Sequence, residues 1–204
     1  FKFTEFLQKH LKQVAIAVGG LVVLAGVVFF IGQSKASGQR KAAELYGQGL
    51  IEMKTGNLQV ANFNFKTLLE RYGGSRWAPW ATFQLANTFY ETKDYNQALE
   101  YYKKYVDKYS TYDSLLTASS WAGIGSCQEA LKNYLSAGEH YLKAVSVAPN
   151  SFMAPEYLLY AGRAYYQAKN KAKALEACQK ILDQYPLSTK VTDAKKEYAR
   201  AANL

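Results

Sequence analysis

The chain has 204 residues, enough for one or two domains with a buried core. Its 25 lysines and arginines exceed its 16 acidic residues, for a net charge of +9, but the basic residues are scattered among acidic ones. We interpret them as solvated helix faces and predict no nucleic-acid partner. The weaker alternative is attraction to an anionic membrane surface.

Residue types that usually carry catalysis are sparse. The chain has two histidines and two cysteines, and it lacks a CxxC pair, a Ser/His/Asp arrangement and a phosphate-binding glycine loop. We therefore predict no catalytic, cofactor-binding or metal-binding residues, no cofactor, and a protein that is not an enzyme. Cys127 and Cys178 fall on predicted helices and are expected to be reduced and mostly buried.

The first predicted elements are a membrane-surface segment and a membrane span. In residues 1–12, apolar residues recur at helical spacing between basic ones, which is typical of an amphipathic segment at the lipid headgroups. Residues 13–34 are then free of charge, and these 22 residues would span roughly 33 Å as a helix, close to the thickness of a bilayer core. The apolar residues of the first segment are Phe3, Phe6, Leu7 and Leu11.

Two alternatives to a transmembrane helix are less consistent with the residues. A secretory signal peptide would have a shorter apolar run and a clearer cleavage site. A buried soluble helix is the other, weaker alternative; the many glycines and β-branched residues would be poor in a soluble surface helix. Lysine and arginine are nearly balanced on the two sides of the span, so charge does not fix its topology.

After residues 35–41, a linker or a continuation of the helix, residues 42–188 are periodic. Four segments align on an alanine of their second predicted helix, and these alanines recur at intervals of 37, 39 and 37 residues. They are Ala61, Ala98, Ala137 and Ala174. Small residues also recur on the predicted first helices, where they allow two helices to approach closely.

The residues of the third segment carry the clearest resemblance to a known family. They are Trp121, Ile124, Gly125, Tyr134, Ala137, Tyr141, Ala144 and Pro149. In this spacing they resemble the tetratricopeptide repeat (TPR), a pair of antiparallel helices. The resemblance implies an all-α fold: an N-terminal transmembrane helix, an α-solenoid of about four TPR units, and a capping helix in residues 189–204 that Ser188 or Thr189 would begin.

In this architecture the first helices line a concave groove that binds proteins. The repeat register therefore predicts seven groove residues, chosen because aromatic residues and arginine dominate binding hot spots. They are Tyr46, Trp80, Phe83, Asn87, Tyr90, Arg163 and Tyr166. An alternative for the aromatic members is packing against the preceding unit or against the long entry helix.

The layout of a short tail, one span and a TPR domain resembles the ancillary SecYEG translocon subunit family of bacterial inner membranes. The resemblance implies a single-pass inner-membrane protein with a periplasmic TPR domain, which scaffolds protein interactions during translocation or periplasmic protein biogenesis. Its implied partners are translocon or chaperone proteins and other subunits of membrane complexes.

Two other functions remain open. The chain could be a structural subunit of a large membrane complex, held there mainly by its span. It could also be an assembly factor of the cell envelope or outer membrane, since residues 68–90 resemble the outer-membrane-protein assembly lipoproteins. The lack of a lipidation cysteine, with a predicted span in its place, argues against direct membership in that last family.

Overall fold

A computed structural model describes residues 10–204, with the backbone alone for Val14. Within this range the structure is built of nine α-helices and has no strand. In chain order the helices are α1 (Leu11–Lys54), α2 (Leu58–Tyr72), α3 (Ala78–Glu91), α4 (Tyr95–Tyr109), α5 (Ser114–Ala130), α6 (Tyr134–Val147), α7 (Ala154–Gln167), α8 (Lys171–Gln184) and α9 (Val191–Ala202).

The long first helix has two parts. Its N-terminal part is apolar and exposed, and the helix is long and apolar enough to cross a membrane. Its C-terminal part packs against α2, and residues 35–41 are helical between the two. Phe3, Phe6 and Leu7, on which the predicted amphipathic segment depends, lie outside the described residues.

The remaining helices form four antiparallel pairs in a row, which confirms the predicted all-α solenoid. Unit 1 is the C-terminal part of α1 with α2, and units 2, 3 and 4 are α3–α4, α5–α6 and α7–α8. The closing helix α9 packs on α8 and α7. The predicted cap of the closing helix is wrong. The N-cap of α9 is Lys190, which makes no side-chain cap hydrogen bond. The Ser188 hydroxyl accepts instead from the backbone N–H of Lys190, in the turn before the helix.

Close packing inside a unit depends on a small residue facing a large one. At equivalent positions of units 1 and 3, a Cβ added to the first-helix glycine would overlap a second-helix ring: Phe65 for Gly49 and Tyr141 for Gly125. In unit 4 a Cβ at Gly162 would lie 2.9 Å from the sulfur of Cys178. Cys178 and Cys127 are buried, as predicted.

Units are joined by the same device and by one buried hydrogen bond. A Cβ at Gly123 of α5 would overlap the ring of Tyr102 in the preceding unit, and one at Gly138 of α6 would lie 2.6 Å from the ring of Tyr165 in the following unit. Between units 1 and 2, the buried Thr88 hydroxyl donates to the Asn62 side chain. Each unit therefore fits its neighbour only in one register.

The turns within the units share an unusual backbone conformation. Lys93, Lys132 and Lys169 have φ angles of 62°, 64° and 58°, and Gly56 occupies the same position in unit 1 with a φ of 82°. Each residue precedes the N-cap of its second helix. A left-handed conformation costs a non-glycine residue about 1–2 kcal/mol.

We therefore expect that glycine at these three lysines stabilises the array. Lys132→Gly removes the steric cost but adds chain entropy to the unfolded state, so we expect a net gain of about 0.5–1 kcal/mol. The matched control is Lys103→Gly on the exposed face of α4, which should cost about 1 kcal/mol. Thermal unfolding followed by circular dichroism measures both; a lower melting temperature for Lys132→Gly would contradict the steric argument.

Candidate functional site

The first helices of units 2, 3 and 4 line an open cleft of about 360 Å³, which we call the concave cleft. Its walls are half-buried side chains that stand on neighbouring first helices, with one residue from a second helix at its base. The lining residues are Tyr90 of α3, Ser126 and Glu129 of α5, Tyr160 and Arg163 of α7, and Tyr141 of α6.

The register of the repeats puts these residues side by side. Tyr90 and Glu129 occupy the same position in successive first helices. Tyr160 takes the position of Gly123 in unit 3, and its ring packs at 5.4 Å from that of Tyr141. Unit 4 thus carries a tyrosine ring at the position where unit 3 carries the glycine against which the Tyr102 ring packs.

Hydroxyl groups converge at the base of the concave cleft. The Tyr141 hydroxyl donates to Glu129 Oε2 at 2.9 Å and lies 3.1 Å from the Ser126 hydroxyl. Ser126 in turn reaches the Ala122 carbonyl of its own helix at 3.1 Å. The base is therefore a connected polar network inside an otherwise aromatic wall.

The tyrosines of the concave cleft remain protonated at neutral pH. Burial raises the pKa of Tyr90 and of Tyr141, and burial together with a hydrogen bond to Glu156 raises the pKa of Tyr160 to about 12. A neutral phenol both donates and accepts hydrogen bonds. The cleft therefore offers hydroxyl groups that can pair with a peptide backbone.

Two ion pairs fix the unit 4 side of the cleft. Arg163 Nε donates to Glu197 Oε1 of α9 at 2.9 Å, and Lys190 Nζ lies 2.5 Å from Glu156 Oε2. Burial alone would raise the pKa of Glu156, but hydrogen bonds from Lys190 and Tyr160 outweigh burial, and the pKa is lowered. The closing helix thus positions the charged groups beside the cleft.

Of the seven predicted groove residues, Tyr90 and Arg163 line the concave cleft. Asn87 is tied up nearby: its carbonyl oxygen accepts from the Tyr102 hydroxyl at 2.6 Å, and its amide donates to Gln84. Tyr166 lies under the guanidinium of Arg200, 4.2 Å from ring to Cζ.

The ring contacts of the three remaining predicted residues are made with their own unit or with the loop that follows it. Tyr46 stacks on Trp77, with ring centroids 5.2 Å apart. Trp80 meets the edge of Tyr112 at 6.4 Å. Phe83 packs on two rings of its own unit, as part of the core of units 1 and 2. Whether any of the seven binds a partner stays a prediction.

Tyr141 and Tyr160 are cleft residues that the sequence-based prediction missed. Tyr141 stands on a second helix, where the register expects a residue that packs inside the unit. Tyr160 lies four residues after Glu156 and three before Arg163 on α7. That spacing places the three residues on one face of α7.

The concave cleft is suited to binding and shows none of the features of a metal centre. Within residues 10–204, no three His, Cys, Asp or Glu side chains come together in a way that could hold a metal ion. The cleft instead combines aromatic surface, hydroxyl groups and one charge of each sign, a composition typical of protein-binding surfaces.

Solved structures with a similar fold are TPR proteins at low sequence identity. A tetratricopeptide repeat protein from Parabacteroides merdae has a TM-score of 0.67 and 16% identity, and the match covers 80% of this chain but 61% of that one. The first TPR of Spaghetti (RPAP3), bound to the HSP90 peptide SRMEEVD, has a TM-score of 0.53 and 19% identity over 63% of this chain and 95% of that one.

A third similar structure is MamA from Desulfovibrio magneticus RS-1, with a TM-score of 0.60 and 19% identity over 80% of this chain and 90% of that one. At these identities the likeness shows the fold alone. No curated protein sequence matches the chain significantly. Residues 38–201 match the family YfiO, described as outer membrane lipoprotein.

Proposed function

The chain belongs to the YfiO family, and from this premise we propose that it is a membrane-anchored scaffold of the bacterial cell envelope that holds an extended segment of a partner protein in the concave cleft. The family match covers residues 38–201, which include all four units and most of α9. The earlier argument against membership in the outer-membrane lipoprotein family, based on a lipidation cysteine, was wrong. The matched region is the repeat array and does not include the residues before 38.

The observation that carries the proposal is the geometry of the concave cleft. Tyr90 of α3 and Tyr160 of α7 line the same cleft as the polar side chains of α5, so rings and hydroxyl groups from three units are available to one bound segment. Tyr90 is 36% exposed, so its ring is accessible to a partner. Neutral hydroxyl groups offer pairs for backbone amides and carbonyls, and the ring faces offer contact area at a low cost in side-chain entropy.

For the anchor, we propose that residues 13–34 cross the inner membrane once and that the array lies in the periplasm. The exposed apolar part of α1 supports this, since its large side chains would otherwise remain in water. In this setting the scaffold would assist protein translocation or periplasmic protein biogenesis. Its partners would be a chaperone or translocon subunit, and it would catalyse no reaction.

A second candidate function, assembly of the outer membrane or cell envelope, is favoured by the family match itself. In that case the segment held in the concave cleft would come from an assembly partner. The third reading, a structural subunit of a membrane complex, would keep one partner permanently in place. The identity of the captured protein separates the three.

The test is purification of the chain from its own bacterium in mild detergent, with and without the double substitution Tyr90→Ala, Tyr160→Ala. Removal of two central tyrosines should cost at least about 1.4 kcal/mol, so we expect the yield of the bound partner to fall about tenfold or more. Quantitative mass spectrometry of the co-purified proteins measures the change.

The matched control is Val60→Ala, Phe63→Ala on the exposed face of α2, which should leave the partner yield unchanged. Circular dichroism should show the same helix content for both variants. If the cleft variant keeps all its partners while the α2 variant loses them, the proposed binding surface is wrong.

A further inference from the structure

The solenoid has two rims of different chemistry. The loops that connect one unit to the next, at 73–77, 110–113, 148–153 and 185–190, form what we call the near rim. The turns inside the units form the far rim, where the exposed Lys93, Lys132 and Lys169 stand at equivalent positions.

Helix α1 joins the array at the near rim. The Gln39 side chain accepts from the backbone N–H of Arg76 at 3.2 Å, and Gly38 packs against the ring of Tyr72. Gln39 follows Ser34, the last residue of the uncharged run, by five residues, or about 7.5 Å along the helix axis. The headgroup layer of one leaflet is about 6 Å thick, so this rim would begin at its outer boundary.

Hydrogen bonds join neighbouring loops in both halves of the near rim. The Tyr112 hydroxyl donates to the Arg76 carbonyl at 3.4 Å, and the Tyr185 hydroxyl donates to the Pro149 carbonyl at 2.7 Å. The first bond links the first rim loop to the second, and the other links the third rim loop to the fourth.

The tips of the last two near-rim loops are strongly apolar. Phe152 is 84% exposed and Leu187 is 98% exposed, and both line one open cleft of about 550 Å³ between their loops. Loop 148–153 carries no charge, and Lys190 in the next loop is paired with Glu156. Two neighbouring apolar tips without charge between them are costly to leave in water.

We propose that the near rim lies on the lipid surface, with the side chains of Phe152 and Leu187 inserted at the boundary of headgroups and acyl chains. The inference rests on the proposed anchor, because α1 would bring this rim, and not the far rim, to the bilayer. Aromatic and leucine side chains on an otherwise polar edge are typical of interfacial membrane contact. The array would then be held at two points, and the concave cleft would keep a fixed orientation to the membrane.

The far rim differs from the near rim in a way that favours lipid contact over non-specific association of the whole surface. Its equivalent tips are lysines, which would remain solvated away from the bilayer. Leu131, beside Lys132, is an exposed apolar residue on this rim and provides a matched reference.

The test places a single bimane label on the whole chain in phosphatidylethanolamine–phosphatidylglycerol nanodiscs, with or without brominated acyl chains. Labels go to Phe152→Cys, Leu187→Cys, the far-rim reference Leu131→Cys, and Val23→Cys inside the span. Cys127 and Cys178 are fully buried, so we expect these thiols to stay unlabelled in the folded chain.

We expect brominated lipid to quench the labels at 152 and 187 by about half, and the label at 131 not at all. Quenching at 23 without quenching at 152 and 187 would overturn the rim contact while leaving the anchor intact. Absence of quenching at 23 would overturn the anchor, and the rim contact with it. The labels at 152 and 187 could also respond only when the ratio of protein to nanodisc is high, or only when periplasmic proteins are added. Either result would assign the tips to a second copy or to a protein partner, and would also overturn the proposal.

Discussion

Gly123→Val is expected to lower the free energy of unfolding by about 3 kcal/mol, because a side chain at this point of α5 has no room. The Cβ alone would overlap the ring of Tyr102, which is buried between units 2 and 3 and fixed by its hydroxyl bond to Asn87. The gain in helix propensity from replacing glycine is under about 1 kcal/mol and cannot offset the overlap. For a chain of this size the melting temperature should fall by roughly 10 °C.

Gly47 provides the matched control, because it occupies the position of Gly123 in unit 1, where no earlier unit exists. Among the described residues, nothing lies within 4 Å of a Cβ added there. Gly47→Val should therefore leave thermal unfolding, followed by circular dichroism in detergent, nearly unchanged. In a Tyr102→Ala background, Gly123→Val should cost much less, since the ring it meets is gone. Equal destabilisation by the two valines would contradict the account of unit packing.

The fold could be predicted because the residues that determine helix packing lie close together in the sequence of each unit. Each unit needs one small residue where its two helices touch, and Gly49, Gly125 and Gly162 mark that point in three of the units. Proline and a polar N-cap then mark where the helices end and begin. A pattern that repeats four times determines the order of helices even where single units are degenerate.

The groove residues were harder to predict. The repeat register tells which residues lie on the groove face of a first helix, but not how much of each side chain a neighbouring element covers. Trp80 and Phe83 lie on a first helix as expected, yet rings from α4 and the following loop pack against them. Coverage depends on the size of side chains in a different helix, which spacing along one helix does not contain. Tyr90 and Arg163 do line the concave cleft, together with the short Ser126 of α5.

Tyr160 illustrates the opposite error. Its equivalents in the other units are Gly47, Gln84 and Gly123, so the family pattern marks the position as one for helix contact. In unit 4 a large ring stands there and, with Tyr141, builds the wall of the concave cleft. A departure from the repeat pattern was therefore the informative signal, and comparison of the units with each other would have found it.

The family assignment needed information that the physical reasoning did not contain. The position of an apolar segment and of cysteines led away from the outer-membrane lipoprotein family, whereas residues 38–201 match it. Anchors and repeat arrays are separate elements, so the chemistry of one says little about the ancestry of the other.

The second large effect concerns which face of the array a partner touches. Tyr90, Glu129 and Tyr166 occupy one position in three successive first helices, and Glu100, Glu139 and Glu176 occupy one position in the paired second helices. In the first set, Tyr90 and Glu129 line the concave cleft, and Tyr166 takes the equivalent position in the next unit. The second set is exposed on the second helices. A segment held by the first helices should react with probes in the first set alone.

Photo-cross-linking at these six positions, in membranes of the native bacterium, tests the central claim most directly. A photoreactive phenylalanine at 90, 129 or 166 should capture one partner through a contiguous segment, and the same probe at 100, 139 or 176 should capture none of it. Tyr160→Ala should reduce capture at 90 and 129 about tenfold. Capture of the same segment from 100, 139 and 176, with the first-helix probes silent, would contradict the account.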